Sequence, residues 1–347
     1  MRYLFDILHP AHVHVLKYTM ADLRAQGHDV VVTARDKDVA LDLLDAYDID
    51  HTVLSEQQHG SVNLARELVS RTVKLGKFAR SQNVDAMVGL MGPSIAPVGR
   101  ILRIPSYVLY DTEIASRTNT WVYPMATEVI TPECYTGRVR GNHVTYAGYH
   151  ELAYLHPARF TPDPAKLTMY GLDLDRPYVV LRLPSLLSSH DNREIDTPPD
   201  TWLRWIEATS ETHRVVISSE RPLGTDLDTY RLEGPPENVH HVLAHADLVM
   251  GESATMATEA AVLGTPAVLV GATSRGYVDD IERRYGLIRY FTPDRIDEAL
   301  ITARDVLEEP DSPAVAACHS QLIDDHIDVT SWLTDHLLTA SSDSARR

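Results

Sequence analysis

Lysine is scarce in this chain: only five of its 32 basic residues are Lys, against 49 Asp and Glu. The net charge of −17 excludes nonspecific attraction to nucleic acid, and the acids are spread along the sequence as on a solvating surface, not gathered in a tail. Cysteine is scarcer still. Cys134 and Cys318 give neither a disulfide framework nor the spacing of metal ligands, which suits a reducing cytosol. No run of 18 apolar residues occurs, and the N-terminus enters a strand at once without a cleavable signal. A soluble, cytoplasmic protein is therefore expected, one still able to touch a membrane peripherally. Internal repeats and low-complexity tracts are missing, as are the G-x-x-x-x-G-K and G-x-G-x-x-G phosphate loops, which weighs against a kinase or a dehydrogenase.

What is present begins with length. A chain of 347 residues exceeds what one core usually manages, so two domains of about 150 to 180 residues are expected. The acidic excess with so little Lys resembles the composition of proteins adapted to high salt, which bears on the host cell and not on the reaction.

Apolar runs that read as strands alternate with helical periodicity. Strands are expected over Tyr3 to Leu8, His28 to Ala34, His51 to Leu54, Ala86 to Leu90, Ser106 to Tyr110, Glu128 to Thr131 and His143 to Tyr146. Helices are expected between them, notably after His9, at Asp38 to Tyr47, Val62 to Ser81 and Ser94 to Leu102. Glu151 to Pro164, with three prolines, reads as a linker. Beyond it, strands are expected at Tyr178 to Leu183, Val215 to Ser219, Asp247 to Met250 and Ala267 to Val270, with a short strand and helical turn over Val239 to Ala246. Helices over Pro293 to Glu308 and Pro313 to Leu338 close the chain, the last of them able to pack back on the first domain. The predicted organisation is α/β: a doubly wound domain over 1–155, a second over 165–338, and a disordered tail over 339–347. In such a sheet the loops after the strands form one rim, here His59-Gly60-Ser61, Met91 to Ser94 and Asp111 to Glu113.

Three stretches can hold chemistry. In Gly251 to Pro266 (GESATMATEAAVLGTP), Ser253 can cap a helix that ends at Gly264 and Pro266, and its first turn, Ser253-Ala254-Thr255, is small enough to leave backbone N–H groups open to a diphosphate. Glu259 lies about 9 Å further along the axis, the span from a nucleotide's phosphates to its ribose hydroxyls. The same pattern also describes a capped helix with a solvated Glu in any α/β domain. The second stretch, His9-Pro10-Ala11-His12-Val13-His14, follows the first strand; a neutral imidazole there can take a proton from a hydroxyl, and it can equally cap or pack a helix. The i, i+2 spacing of His12 and His14 does not make a metal site. The third, Tyr110 to Asn119, puts Asp111 and Glu113 directly after a buried strand. Those carboxylates face a cleft or find a partner such as Arg117, one turn on. Arg182 at a strand end and Arg275 in the loop Gly271 to Tyr277 can each neutralise phosphate charge or simply meet solvent.

Through HPAHVHVLK, YDTEIA and GESATMATEAAVLGTP, most of the chain resembles an uncharacterised prokaryotic family related to GT-B glycosyltransferases and UDP-N-acetylglucosamine 2-epimerases. The resemblance implies two Rossmann-like domains facing across a cleft. It gives Ser253, Ala254 and Thr255 the diphosphate role and Glu259 the ribose role, with Ala254 and Thr255 standing where the relatives have glycines. It makes His12 the base or acceptor contact and Glu113 a catalytic-site group. The implied activity is metal-independent glycosyl transfer from a nucleoside-diphosphate sugar, UDP-linked, to a glycan, lipid-linked or small-molecule acceptor. No cofactor or metal is needed, because the helix dipole with Arg182 or Arg275 stabilises the departing diphosphate. The alternatives are a 2-epimerase, in which Glu113 and Asp111 move protons, and a noncatalytic nucleotide-sugar or glycan binder.

Overall fold

The computed structural model describes residues 1–58, 60–113, 116–183, 199–219, 227–309 and 312–345. His59, Pro184-Ser185 and Glu220-Arg221-Pro222, singled out above, lie outside them, as does the side chain of Arg117. The chain divides into two compact units, Met1–His156 with Ile327–Arg347, and Pro157–His326.

The first unit is a seven-stranded parallel sheet in the order β3-β2-β1-β4-β5-β6-β7. Its strands are β1 (Arg2–Ile7), β2 (Asp29–Asp36), β3 (Thr52–Glu56), β4 (Ala86–Leu90), β5 (Ser106–Leu109), β6 (Glu128–Pro132) and β7 (His143–Tyr146). The helices are α1 (Pro10–Ala25), α2 (Ala40–Ala46), α3 (Ser61–Ser81), α4 (Ile95–Leu102), α5 (Ser116–Val122) and the short α6 (Leu152–Leu155). Strand order reverses between β1 and β4, the switch point at which open parallel sheets place ligands. β1 and β4 are apolar because helices cover both faces; Leu4, Met87, Ile95, Val98 and Val108 belong to the core on one of them. Each expected strand of this unit forms, to within two residues at either end.

The second unit is a five-stranded parallel sheet in the order β12-β11-β10-β8-β9. It comprises β8 (Tyr178–Arg182), α7 (Pro199–Thr209), β9 (Arg214–Ser218), α8 (Val239–Ala244), β10 (Leu248–Gly251), α9 (Ala254–Leu263), β11 (Ala267–Val270), α10 (Gly276–Tyr285), β12 (Ile288–Phe291), α11 (Ile296–Glu308) and α12 (Pro313–Asp324). Its core joins Val179 and Leu181 of β8, Trp202 and Ile206 of α7 and Met250 of β10.

Several expectations are corrected here. Val239 to Ala246 contains no strand: α8 occupies Val239–Ala244 of it, with His240, Val242 and Leu243 inward. The loop placed over Gly271 to Tyr277 ends in α10, and β12 follows it at the sheet edge. The closing helix is two helices, α12 and α13 (Val329–Ala345), and α13 belongs to the first unit, where it packs on α1 and α6. Leu333 and Leu337 are fully buried there, and Thr330 Oγ1 donates to the Ala153 carbonyl at 2.6 Å. The second domain therefore ends at His326, and residues 339–345 are helical where a disordered tail was expected. Among the described residues, no helix is long and apolar enough to cross a membrane.

Candidate functional site

In the second unit, β10 leads into α9 through Gly251-Glu252-Ser253. Gly251 has φ +144, and a Cβ there would collide with the Arg182 backbone on β8, the strand paired alongside. That close approach puts Arg182 in register with Gly251, and Glu252 N–H donates to the Arg182 carbonyl at 3.1 Å. Ser253 caps α9, its Oγ accepting the Met256 N–H at 3.2 Å, while Ala257 N–H donates to the Ser253 carbonyl. Among the described residues nothing accepts from the amides of Ala254 and Thr255. Two N–H groups at the positive end of a ten-residue helix thus stay open to an anion.

Arg182 reaches Ser218 Oγ at 3.3 Å from its partly exposed position. Arg275 precedes α10, and its guanidinium turns back to donate to the Thr273 carbonyl at 2.7 Å and to Thr273 Oγ1 at 3.1 Å. Both lie at the C-terminal edge of the sheet with the α9 cap, one following β11 and the other closing β8. Glu259 is only 6% exposed, and its Oε1 is 2.9 Å from Nε2 of His240 on α8. The carboxylate read from sequence as a ribose ligand is therefore held by a buried imidazole, a partner that the sequence reading did not identify. Glu252 was also missed. Burial pushes its carboxyl up to about 7, one residue before the Ser253 cap. A Glu directly ahead of a helix-capping Ser was the available signal.

In the first unit the loops after β1 and β5 bring a second set of groups to the C-terminal edge. His9 caps α1, with Nδ1 accepting the Ala11 N–H at 3.2 Å. His12 is buried, and its Nδ1 accepts the Leu8 N–H at 3.3 Å. Burial first, and then the neighbouring His9, Lys37, His150 and Arg71, hold its imidazole well below the usual range. A neutral ring that accepts at Nδ1 bears its hydrogen on Nε2, so His12 presents a donor where the sequence suggested a base. His14 turns elsewhere: it stacks on Tyr154 and meets the Tyr47 hydroxyl.

Asp111 and Glu113 part company. Glu113 Oε1 accepts from Thr136 N–H at 3.1 Å and Thr136 Oγ1 at 3.2 Å, a loop contact following β6. Asp111 Oδ1 accepts from Thr112 Oγ1 at 2.8 Å, and its Oδ2 lies 4.0 Å from Nε2 of His150. His150 is 3% exposed, stacks on Tyr146 and is hydrogen-bonded at Nδ1 to the Tyr146 hydroxyl. Burial lowers its pKa, partly offset by Asp111, and burial raises that of the Tyr146 phenol well above its ordinary value. Beneath the edge, Asp6 and Arg71 form a buried ion pair, with Thr33 Oγ1 donating to Asp6 at 2.7 Å and Arg71 to the Ala34 carbonyl at 2.9 Å. An Asp inside the apolar run of β1 was the sequence signal for that pair.

Two parallel, doubly wound sheets with these connections define the GT-B class of fold. The chain belongs to the family described as "Protein of unknown function (DUF354)", which matches residues 1–309. Among solved structures it is similar to the Staphylococcus aureus MnaA–UDP co-structure (11% identity, TM-score 0.71, covering 99% of this chain and 97% of that one). It is also similar to the UDP-GlcNAc 2-epimerase from Neisseria meningitidis bound to UDP-GlcNAc (11%, 0.65, covering 98% and 100%). A third is the spinosyn rhamnosyltransferase SpnG complexed with thymidine diphosphate (15%, 0.62, covering 96% and 100%). No curated protein matches the sequence.

Proposed function

We propose that the protein is a glycosyltransferase that takes its sugar from a nucleoside diphosphate, UDP in the first instance. The observation that carries this reading is the start of α9, where a Ser253-capped turn leaves the Ala254 and Thr255 amides open beside Arg182. In this scheme the diphosphate lies on those amides and accepts from them. The helix dipole and the Arg182 guanidinium supply the positive field into which the leaving group's charge develops. Glu259, fixed by His240, accepts from the ribose hydroxyls, and Arg275 swings from Thr273 to the phosphates. The acceptor is bound at the first unit's edge, where Asp111 and Glu113 are the carboxylates able to take its hydroxyl proton and His12 presents a donor. The solved structures similar to this chain include complexes with UDP, UDP-GlcNAc and thymidine diphosphate, which supports a donor of this class.

The rival reading is a sugar-nucleotide 2-epimerase, favoured by the likeness to the Neisseria enzyme and by two carboxylates on one loop. Calorimetric titration with UDP, dTDP and UDP-N-acetylglucosamine tests the shared donor site, and no binding by any of the three refutes it. Incubation with UDP-N-acetylglucosamine alone then separates the readings, since only an epimerase yields the 2-epimer.

A further inference from the structure

A surface helix ordinarily turns its apolar stripe toward the core and its charges toward water. α3 in the first unit has apolar residues on both sides. It packs through Arg71, Leu75 and Ala79, which are buried. On the opposite side Val62, Arg66, Val69, Val73, Lys77 and Arg80 fall within about 80° of arc, along a stripe about 27 Å long. Val62, Val69 and Val73 are 62%, 66% and 54% exposed, and the three cations between and beyond them are exposed as well. Ile101, 73% exposed between Arg100 and Arg103 at the end of α4, repeats the alternation on the helix packed against α3. Exposed apolar residues gathered on one surface, and not scattered singly, mark a place of interaction.

The charge of this surface is opposite to that of the chain. Residues 61–103 hold seven Lys and Arg against two acids, in a protein of net charge −17. Both acids are engaged elsewhere: Glu67 pairs with Arg35 at 2.6 Å, and Asp85 accepts the Arg2 N–H at 2.7 Å. Arg66, Lys77 and Arg80 meet no acid among the described residues. The partner of this face is therefore anionic and offers apolar surface at the same time.

We propose that the outer face of α3 docks on a bilayer containing anionic phospholipid, with the valines at the acyl boundary and the cations on the headgroup phosphates. A lipid surface presents phosphate and hydrocarbon in one thin layer, which matches residues that alternate between basic and apolar. A nucleic acid presents phosphate but leaves the valines in water, and the stripe has no aromatic ring to stack on a base. A second copy of the chain, paired on this face about a two-fold axis, sets cations against cations. The charge of the whole chain does not prevent docking. At ~0.1 M salt an exposed charge is largely screened beyond about 10 Å, so the groups that touch the headgroups decide the sign. Docking here is independent of the donor site on α9, and a chain that binds no UDP can still bind the vesicle.

The test is flotation of the full chain with vesicles of equal parts phosphatidylglycerol and phosphatidylcholine, against vesicles of phosphatidylcholine alone, at ~0.1 M salt. The wild type is expected to bind the anionic vesicles at least about tenfold more tightly. Lys77→Gln/Arg80→Gln is expected to lower that affinity about tenfold, and Val69→Ser/Val73→Ser about fivefold, with circular dichroism melts matching the wild type because all four side chains are exposed. Arg283→Gln/Arg304→Gln, which removes cations of the second unit whose side chains are 76% and 70% exposed, is expected to leave binding unchanged. Equal affinity of the wild type for the two vesicles overturns the proposal without recourse to any variant. So does a loss in the Arg283/Arg304 pair as large as that in the Lys77/Arg80 pair, which means attraction without a site. Transfer RNA that binds the wild type and depends on Lys77 and Arg80 but not on the valines assigns the face to nucleic acid instead. A dimer in sedimentation equilibrium that Val69→Ser/Val73→Ser dissociates, from a wild type that does not float, assigns it to a second copy.

Discussion

Glu252 and Ser253 are adjacent and do opposite things to charge. Ser253 brings a neutral oxygen to the first turn of α9 and satisfies one amide, Met256. Replacing it by Ala removes that cap, which costs about 1 kcal/mol. The expected result is a small drop in melting temperature, seen by calorimetry, together with weaker UDP binding; an unchanged UDP affinity would take Ser253 out of the donor site. Glu252 is costly in its charged form. Its carboxyl is raised from 4.5 to about 7 by burial, so the folded chain holds the proton more tightly than the unfolded one. The stability linked to this group is full below 4.5 and is lost as pH rises through about 7. Urea titrations at pH 5 and pH 8.5 should show the decline, and Glu252→Gln should flatten it. UDP affinity should fall over the same interval in the wild type, since an ionised Glu252 repels a diphosphate beside it.

At the scale of the element, the β10–α9 unit was legible in sequence because each of its signals is local. An apolar run, a glycine, a capping Ser and a terminal Gly264 at φ +90 are rules of backbone geometry. Gly251 bears the tightest of these constraints. Gly251→Ala combines φ +144 with a clash against the β8 backbone, so the second unit should lose stability and UDP binding together, as read by denaturant melts and titration. What the spacing did not show is what Glu259 faces. Its imidazole partner is nineteen residues earlier on another helix, and the sheet order that packs α8 on α9 is not encoded in either helix alone. Both side chains are nearly closed from solvent. Removing one member of such a pair strands the other, so His240→Ala is expected to destabilise by about 3 kcal/mol, and a His240→Ala/Glu259→Gln double mutant should be less affected than the sum of its parts. Glu259→Gln should weaken UDP more than inorganic pyrophosphate, because only UDP offers ribose hydroxyls. Equal losses would assign the carboxylate to packing alone. The Asp111–His150 juxtaposition was illegible for the same reason as the His240 contact, since it joins the ends of β5 and β7 across the sheet order.

For the whole molecule, the two alternating β/α halves were readable because period-2 and period-3.6 patterns repeat along each. The return of the last helix to the first unit was open to a sequence reading and is found for α13, which packs on α1 and α6, but the point near Asp324 where the closing helix breaks in two was not marked by the pattern. Charge, by contrast, is a property of the whole chain that composition states directly. With 49 acids against 32 bases, the folded state confines an excess of 17 negative charges, and self-repulsion opposes compaction. Ion pairs among the described residues, such as Arg35 with Glu67 at 2.6 Å and Arg284 with Asp325 at 2.8 Å, bring opposite charges together without changing the net excess. Salt shortens the reach of the repulsion from about 10 Å at 0.1 M to about 3 Å at 1 M, whereas short, shielded pairs such as Arg35–Glu67 are screened much less. Raising KCl from 0.1 to 2 M should therefore increase the melting temperature of this protein. Calorimetric scans across that range check it, and a melting temperature that falls with salt would mean that attractive surface pairs, not the net charge, dominate its electrostatics.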